Sequence, residues 1–298
     1  MIYWLFIFLF FLGAAIGSFF NVVSFRYKAG ARLFNPKIIG GRSHCPHCHT
    51  TLSWYELIPV ISFLIQLGKC RHCKKRISSQ YPIIEILSGL TFVIIPIYFY
   101  NHFKIFQLFL GGMPFNWYYF FLGIWILTAL IFILLSAIDF RLKIIPDSLV
   151  LSLVFLGLVL IIVKNFYKLF GVFEDSFLGS YAMMFGLRDN IWINYVAASL
   201  FGVLFFGLIV FLSRGRAMGM GDLKLAGAIG LLLGWPDTAM AIFLAFILGS
   251  LVGIFLIIVG KKSLKSALPF GPYLAIGVFL TMFFGQAILG GYFKLFGI

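Results

Sequence analysis

The chain has 298 residues, of which 62% are hydrophobic and 11% are charged, and its net charge is +14. Soluble domains carry about 25% charged residues, so this composition excludes a soluble globular protein, which would lack the polar residues to cover its surface. Apolar runs longer than about 18 residues recur and predict an all-α polytopic protein in a lipid bilayer. We assign the positive charge to orientation in the membrane and expect no nucleic-acid partner.

Eight apolar segments predict about eight transmembrane helices. The first run, from Ile2 to Asn21, lacks the basic residues that open a signal peptide, and we interpret it as a retained helix. The sixth segment is short and contains glycine, which predicts a broken or tilted helix. In chain order the predicted spans are 2–25, 82–101, 117–138, 147–164, 191–213, 223–235, 238–260 and 271–293.

The placement of Lys and Arg predicts the topology. With the N-terminus outside, 18 of the 23 basic residues fall on the inside, and ten of those lie between Arg26 and Arg76. This asymmetry favours both termini outside, an even number of spans and a cytosolic loop at 26–81. The outer loop 165–190 shows no recognisable chemistry. The five outside cations are Lys104, Lys164, Lys168, Arg188 and Lys294.

All four cysteines lie in the polar loop 26–81. They form two C-x2-C pairs separated by 21 residues, and this spacing favours one tetrahedral Zn²⁺ over a redox dithiol or an iron–sulfur cluster. A site closed by four thiolates has no open position for chemistry, so this zinc would stabilise the loop. The neighbouring His44, His47, His49 and His72 are interpreted as loop residues. The predicted ligands are Cys45, Cys48, Cys70 and Cys73.

Three of the nine acids, Asp139, Asp147 and Asp222, adjoin the predicted cytosolic ends of spans. Acids at membrane-helix ends are costly to bury and are candidates for function. Asp147 follows a proline, and we interpret it as a helix cap. Asp139 ends a helix, where the macrodipole disfavours a carboxylate, although Arg141 or Lys143 could pair with it.

Asp222 follows Gly219 and Gly221, which would let the backbone take unusual angles or approach a substrate closely. A helix cap is the alternative role for this acid. Glu56 and Glu85 lie in and beside the cysteine loop. The other four acids are predicted to be solvated charges of outer loops, and they are Glu174, Asp175, Asp189 and Asp237.

Asp139 and Asp222 are therefore the preferred pair. Two apposed carboxylates share one proton, so one can take a proton from water while the other donates to a peptide carbonyl oxygen. This predicts peptide hydrolysis. A membrane proton or cation transporter is the alternative, although its site would be expected near the bilayer midplane. A scaffold without catalysis would leave the acid of the glycine-rich segment unexplained.

Five motifs occur in one order along the chain and resemble the bacterial type IV prepilin peptidases, which are GxGD membrane aspartyl proteases. No Pro-Ala-Leu motif, as in presenilin-type GxGD proteases, is present. The motifs are "GSFFNVVSFR" at 17–26, the double C-x2-C, "SAIDFRLKIIPD" at 136–147, "GMGD" at 219–222 and "PFGPYLAIG" at 269–277.

The resemblance implies two activities in the bacterial inner membrane. One is cleavage of the leader of prepilins or pseudopilins at the cytosolic face, and Asp139 and Asp222 would be its catalytic residues. The other is methylation of the new N-terminus with S-adenosylmethionine. Substrate helices and the bilayer would then be the partners. The implied organisation is a first transmembrane helix at 1–25, a tetracysteine domain associated with methyl transfer at 26–81, and a peptidase core at 82–298.

The resemblance also associates the cysteine loop with binding of the methyl donor. A carboxylate there would hold the ribose hydroxyls or the incoming amine. The structural alternative is that Gly68 makes a turn before a zinc knuckle and that the glutamates pair with loop cations. The residues that match family positions are Glu56, Gly68, Lys69 and Glu85.

Overall fold

The computed structural model describes residues 2–30, 33, 35–110, 115–167, 176–186, 190–263 and 266–297. The regular secondary structure of its described part is helical, apart from two isolated β-bridges in the cysteine loop. Short helices occur at Pro36–Ile39, Trp54–Leu57, Ile61–Ile65, Gly179–Tyr181 and Ala182–Phe185. The long helices are α1 (Ile2–Arg26), α2 (Gln80–Leu110), α3 (Phe115–Leu142), α4 (Asp147–Tyr167), α5 (Ile191–Leu212), α6 (Met220–Leu233), α7 (Asp237–Ile258) and α8 (Gly271–Leu295).

Among the described residues, seven of these helices are long and apolar enough to cross a membrane. They confirm the predicted all-α membrane protein. The predicted sixth span differs, because α6 has only 14 residues and extends about 21 Å, whereas the hydrocarbon core is about 30 Å thick. Its helix ends at Gly234, whose φ of 76° cannot continue a right-handed helix.

By its internal contacts the chain divides into two compact units, Met1–Arg141 and Leu142–Ile298. In the first unit, α1 and α2 run antiparallel and pack closely through small residues of α1. A Cβ atom on Gly17 would lie 2.8 Å from the carbonyl oxygen of Ile84, and Gly13 faces Ser88. The predicted first helix is therefore part of the packed unit.

In the second unit, α6 packs antiparallel to α5. Gly230 meets the backbone of Ser199, and a Cβ atom on Gly202 would lie 2.7 Å from the carbonyl oxygen of Ala226. Glycine at these positions lets the two helix backbones approach closely, as is typical of helix pairs in membranes.

Helix α4 lies against α6 and runs parallel to it. Gly221 faces Ile145 just before α4 begins, and Gly157 faces Leu231 near the other end. The first turn of α6, which carries Asp222, therefore lies at the end of the unit where α4 begins.

The opposite end of the second unit contains polar side chains that the sequence did not predict as buried. Asp237 was predicted to be a solvated loop acid, but it begins α7 and is only 1% exposed. Lys164, predicted at the outer end of the fourth span, is buried in α4, and its Nζ donates to the Tyr195 hydroxyl at 2.8 Å. Several predicted loop charges lie outside the described residues: Arg32, Lys168, Glu174, Asp175, Arg188, Asp189 and Lys265.

Candidate functional site

The first C-x2-C pair forms a tight knuckle in the cysteine loop. The amide of Cys45 donates to the Thr50 carbonyl at 3.0 Å, and the amide of His49 donates to the Cys45 carbonyl at 2.9 Å. His49 has a φ of 55°, which turns the chain back so that His44 and Thr51 form a β-bridge.

The second pair repeats this geometry 25 residues later. The amide of Cys70 donates to the Lys75 carbonyl at 2.8 Å, and the amide of Lys74 donates to the Cys70 carbonyl at 2.9 Å. Lys74 has a φ of 59°, and Lys69 and Arg76 form the matching bridge. The loop therefore contains two equivalent knuckles.

The two knuckles bring the four cysteines together. All four Sγ atoms lie within 4.8 Å of one another, and those of Cys45 and Cys73 are 3.9 Å apart. Zn–S bonds of about 2.3 Å in a tetrahedron place sulfurs about 3.8 Å apart, so this cluster fits a tetrahedral metal ion. The predicted ligand set is thus assembled in the structure.

The thiols of the cluster have divergent acidities. The Thr50 hydroxyl donates to Sγ of Cys48 at 3.4 Å and is the main cause that lowers the pKa of this thiol to about 6. The Lys75 amide also lowers the pKa of Cys73, but desolvation and the neighbouring thiols outweigh it and raise that pKa to about 11. Four adjacent thiols resist joint ionisation, and a bound cation would relieve this repulsion.

The two glutamates of the cysteine region are buried, and each holds loop backbone. Glu56 accepts from the Ser53 amide at 2.9 Å through Oε2, and its Oε1 lies 4.0 Å from Nε2 of His72. Glu85 lies in α2 and accepts from the Val60 amide at 2.7 Å. We expected these acids to pair with Lys or Arg, but the contacts above are with backbone amides and with His72.

Gly68 and Lys69 lead into the second knuckle. Gly68 has a φ of 67°, and a Cβ atom there would lie 3.1 Å from the Phe63 ring. Both features favour glycine at this turn. Lys69 is exposed. The structural role expected for Gly68 is therefore present, and a role in binding a methyl donor stays a prediction.

Asp139 lies in the last turn of α3 and is 4% exposed. Two residues later, Arg141 donates to the carbonyl oxygens of Phe25 and Tyr27, both at 2.6 Å. The sequence offered Arg141 or Lys143 as a partner of Asp139. The Arg141 guanidinium bridges two backbone carbonyls at the end of α1, and so anchors the turn that carries Asp139.

Asp222 lies in the first turn of α6, in the second unit. Its Oδ2 accepts from the Gly219 amide at 3.2 Å, so the side chain reaches back to the residue before the helix. Burial raises the pKa of this carboxyl, and the hydrogen bond from Gly219 lowers it by less. Asp222 thus combines a local capping contact with a carboxyl that resists ionisation.

The glycines before Asp222 do not take the unusual backbone angles that we expected. Gly219 has φ −88° and ψ 160°, which is ordinary extended backbone. Gly221 is the second residue of α6 and faces Ile145, and a Cβ atom there would lie 3.1 Å from the Cβ of Ile145. The observed role of Gly221 is close packing of α6 against the segment before α4.

Asp147 is the first residue of α4, and Pro146 occupies the cap position. The Pro146 carbonyl accepts from the amides of Leu149 and Val150. The carboxylate of Asp147 accepts from Nζ of Lys224 at 2.8 Å, with both side chains largely exposed. The interpretation of Asp147 as a side-chain cap is replaced by an ion pair between the starts of α4 and α6.

Comparison with known proteins places these features in one family. Residues 11–99 match the bacterial peptidase A24 N-terminal domain, and residues 126–254 match the type IV leader peptidase family. A protein of Aeromonas hydrophila is 31% identical over 98% of this chain and 96% of its own length, and it is named prepilin leader peptidase/N-methyltransferase. The chain belongs to this family. The comparison thus confirms the resemblance drawn from the motifs.

Two further relatives carry the same name. A protein of Bacillus subtilis is 30% identical over 96% of this chain and 97% of its own length. One of Stutzerimonas stutzeri is 30% identical over 95% of this chain and 92% of its own length. No solved structure matches the chain. Because the chain belongs to a family of leader peptidases, we conclude that it is an enzyme and reject the transporter and scaffold alternatives.

Proposed function

We propose that this chain cleaves the leader peptide of type IV prepilins or pseudopilins and then methylates the amine that cleavage exposes. The observation that carries the proposal is the likeness to relatives named for both activities, which extends over more than nine tenths of both chains. The five motifs lie within this shared length, and the two candidate acids belong to them.

Asp139 and Asp222 are the proposed catalytic pair. In the proposed reaction an ionised carboxylate takes a proton from water, and the water oxygen bonds to the scissile carbonyl carbon. The other carboxyl donates its proton to the carbonyl oxygen. The C–N bond then breaks as the nitrogen takes the proton first removed from water, and the diol returns a proton to the second carboxylate. The burial that raises the pKa of Asp222 supports it as the protonated partner.

The cysteine loop is the proposed region of methyl transfer. Four thiolates would hold Zn²⁺ as a structural ion, and S-adenosylmethionine supplies the methyl group when it is bound. Glu56 supports this placement, because its buried Oε1 has no hydrogen-bond partner among the described residues. That oxygen would accept from a ribose hydroxyl or from the incoming amine. Gly68, Lys69 and Glu85 are proposed to shape the same region.

The proposed setting is the bacterial inner membrane, with both termini outside and the cysteine loop in the cytosol. The excess of Lys and Arg in the predicted inside loops supports this orientation. This orientation requires α6 to carry the chain across the membrane, although that helix is short. Reporter fusions on either side of residues 220–233 test this requirement. Equal reporter activity on both sides would contradict it.

Co-expression with a candidate prepilin, followed by mass spectrometry of the substrate N-terminus, tests both activities together. We expect loss of the leader and addition of one methyl group to the new terminus. Asp222→Asn should leave the leader in place, whereas a variant of Glu56 should allow cleavage without the methyl group. A prepilin that stays uncleaved beside folded wild-type enzyme, over a panel of pilin-like substrates, contradicts the proposal.

A further inference from the structure

The segment from Trp54 to Leu67, which we name the apolar segment, exposes seven large hydrophobic side chains although it lies outside the long helices. Leu67 is 84% exposed, Trp54 78% and Ile65 77%. Continuous exposed apolar surface marks a site that contacts another molecule or a membrane. The exposed side chains are Trp54, Tyr55, Leu57, Ile61, Leu64, Ile65 and Leu67.

The contacts of the apolar segment place it beside membrane-spanning helices. The Val60 amide donates to the Glu85 carboxylate, and Glu85 lies five residues into α2, or about 7.5 Å along the helix axis. At this level α2 packs directly against Gly17 of α1. The turn at Val60 therefore contacts a side chain that starts about one and a half turns into α2.

The backbone at Val60 is held in place at some energetic cost. Its φ is 63°, a region that β-branched residues rarely adopt, and the hydrogen bond to buried Glu85 fixes this turn. The turn starts the short helix Ile61–Ile65, which carries much of the exposed apolar surface. The position of the segment against α2 is thus fixed by the fold.

Positive charge is concentrated beside the apolar segment. The two knuckles have equivalent backbones, but residues 44–52 of the first contain no Lys or Arg, whereas residues 69–77 of the second contain five, all exposed. Arg71 places its guanidinium carbon 5.5 Å from the centre of the Tyr55 ring, so the cations adjoin the apolar surface. The cations are Lys69, Arg71, Lys74, Lys75 and Arg76.

We propose that the apolar segment inserts shallowly into the lipid leaflet and that the second knuckle binds anionic lipid headgroups. Exposed Trp, Leu and Ile flanked by Lys and Arg are the chemistry of an interfacial membrane segment, which is buried about 5–10 Å deep. A second copy of this chain is a poorer partner, because it would bring the same five cations face to face. The two knuckles are then held at a fixed height on the membrane.

Quenching of Trp54 fluorescence by lipids brominated near the headgroup tests this depth. The full-length protein is reconstituted in phosphatidylcholine vesicles with about one third phosphatidylglycerol. The spectrum of Trp54→Phe is subtracted to isolate Trp54 from the other five tryptophans. We expect brominated lipid to reduce the Trp54 signal about twofold and an aqueous quencher to have little effect.

Two double variants test the role of charge. Lys74→Gln/Lys75→Gln should weaken quenching by lipid in the anionic vesicles and leave it unchanged in pure phosphatidylcholine. The matched control Lys28→Gln/Arg42→Gln removes two cations from the same loop and should have no effect. Quenching only by the aqueous quencher overturns the proposal. Protection of Trp54 from both quenchers also overturns the proposal and indicates that a protein partner covers this residue. If the two double variants have equal effects, the second knuckle has no special role in binding anionic lipid.

Discussion

The backbone amide of Gly219 donates a hydrogen bond to Oδ2 of Asp222 at 3.2 Å. This contact ties the acid of the GMGD motif to the start of its own helix, and it uses one carboxylate oxygen. A carboxamide can accept the same hydrogen bond, whereas it cannot exchange a proton with water or substrate. The capping role and the catalytic role of Asp222 are therefore separable by a single substitution.

Asp222→Asn should abolish leader cleavage while the protein folds normally. The amide keeps the contact with Gly219, but a pair that must share a proton loses one member. Cleavage is measured by mass spectrometry of a co-expressed prepilin, and folding by thermal unfolding of the purified protein. Asp222→Ala should also be inactive and should lose about 1 kcal/mol of stability, because its cap is gone.

Asp147→Asn is the matched control for this experiment. Asp147 lies at the same end of the second unit, and its partner Lys224 is also largely exposed, so the loss of their ion pair should cost less than about 1 kcal/mol. Cleavage should continue in this variant. Retained cleavage by Asp222→Asn, or equal loss of cleavage in both variants, contradicts the role of Asp222.

The same Asp222→Asn variant predicts a pH dependence of stability. Burial raises the pKa of Asp222 in the folded protein above its ordinary value of 3.8, so ionisation opposes folding. The wild type should lose stability as the pH rises from this ordinary value through the raised one, and the variant should not. The difference in unfolding temperature, variant minus wild type, should therefore become larger as the pH rises from 4 to neutrality. A constant difference over this range contradicts the raised pKa.

The assembly of the four cysteines could be predicted from the sequence, because C-x2-C spacing fixes a knuckle locally. The seven long helices were also recoverable, since their apolar runs exceed the bilayer thickness. Burial of Asp237 and Lys164 was not recoverable, because it depends on how distant helices pack. The contact of Arg141 with the end of α1 was not recoverable either, since nothing local points to carbonyl acceptors more than 110 residues earlier.

The cysteine cluster predicts a zinc content near one ion per chain. Replacing any one of the four cysteines by serine should remove most of the zinc, because all four Sγ atoms are within reach of one ion. Metal analysis of the purified protein measures this directly. His47→Ala is the control and should keep its zinc. Intact folding of a zinc-free wild-type protein would show that the ion does not stabilise the loop.

Because α5 and α6 pack closely at Gly230, even the methyl group of alanine does not fit at this position. A methyl group there would overlap the backbone of Ser199, and backbone cannot move aside as a flexible side chain can. Gly230→Ala should therefore lower the free energy of unfolding by about 1–3 kcal/mol, as overpacking does. It should also reduce leader cleavage, because α6 carries Asp222.

Gly291→Ala is the matched control, since no atom lies within 4 Å of a Cβ added at this position of α8. Alanine is the better helix former, so this variant should be as stable as the wild type or slightly more stable. Thermal unfolding of both variants in the same detergent gives the comparison. Equal stability of Gly230→Ala and Gly291→Ala would mean that α5 and α6 separate at no cost, and would contradict the packing that positions Asp222.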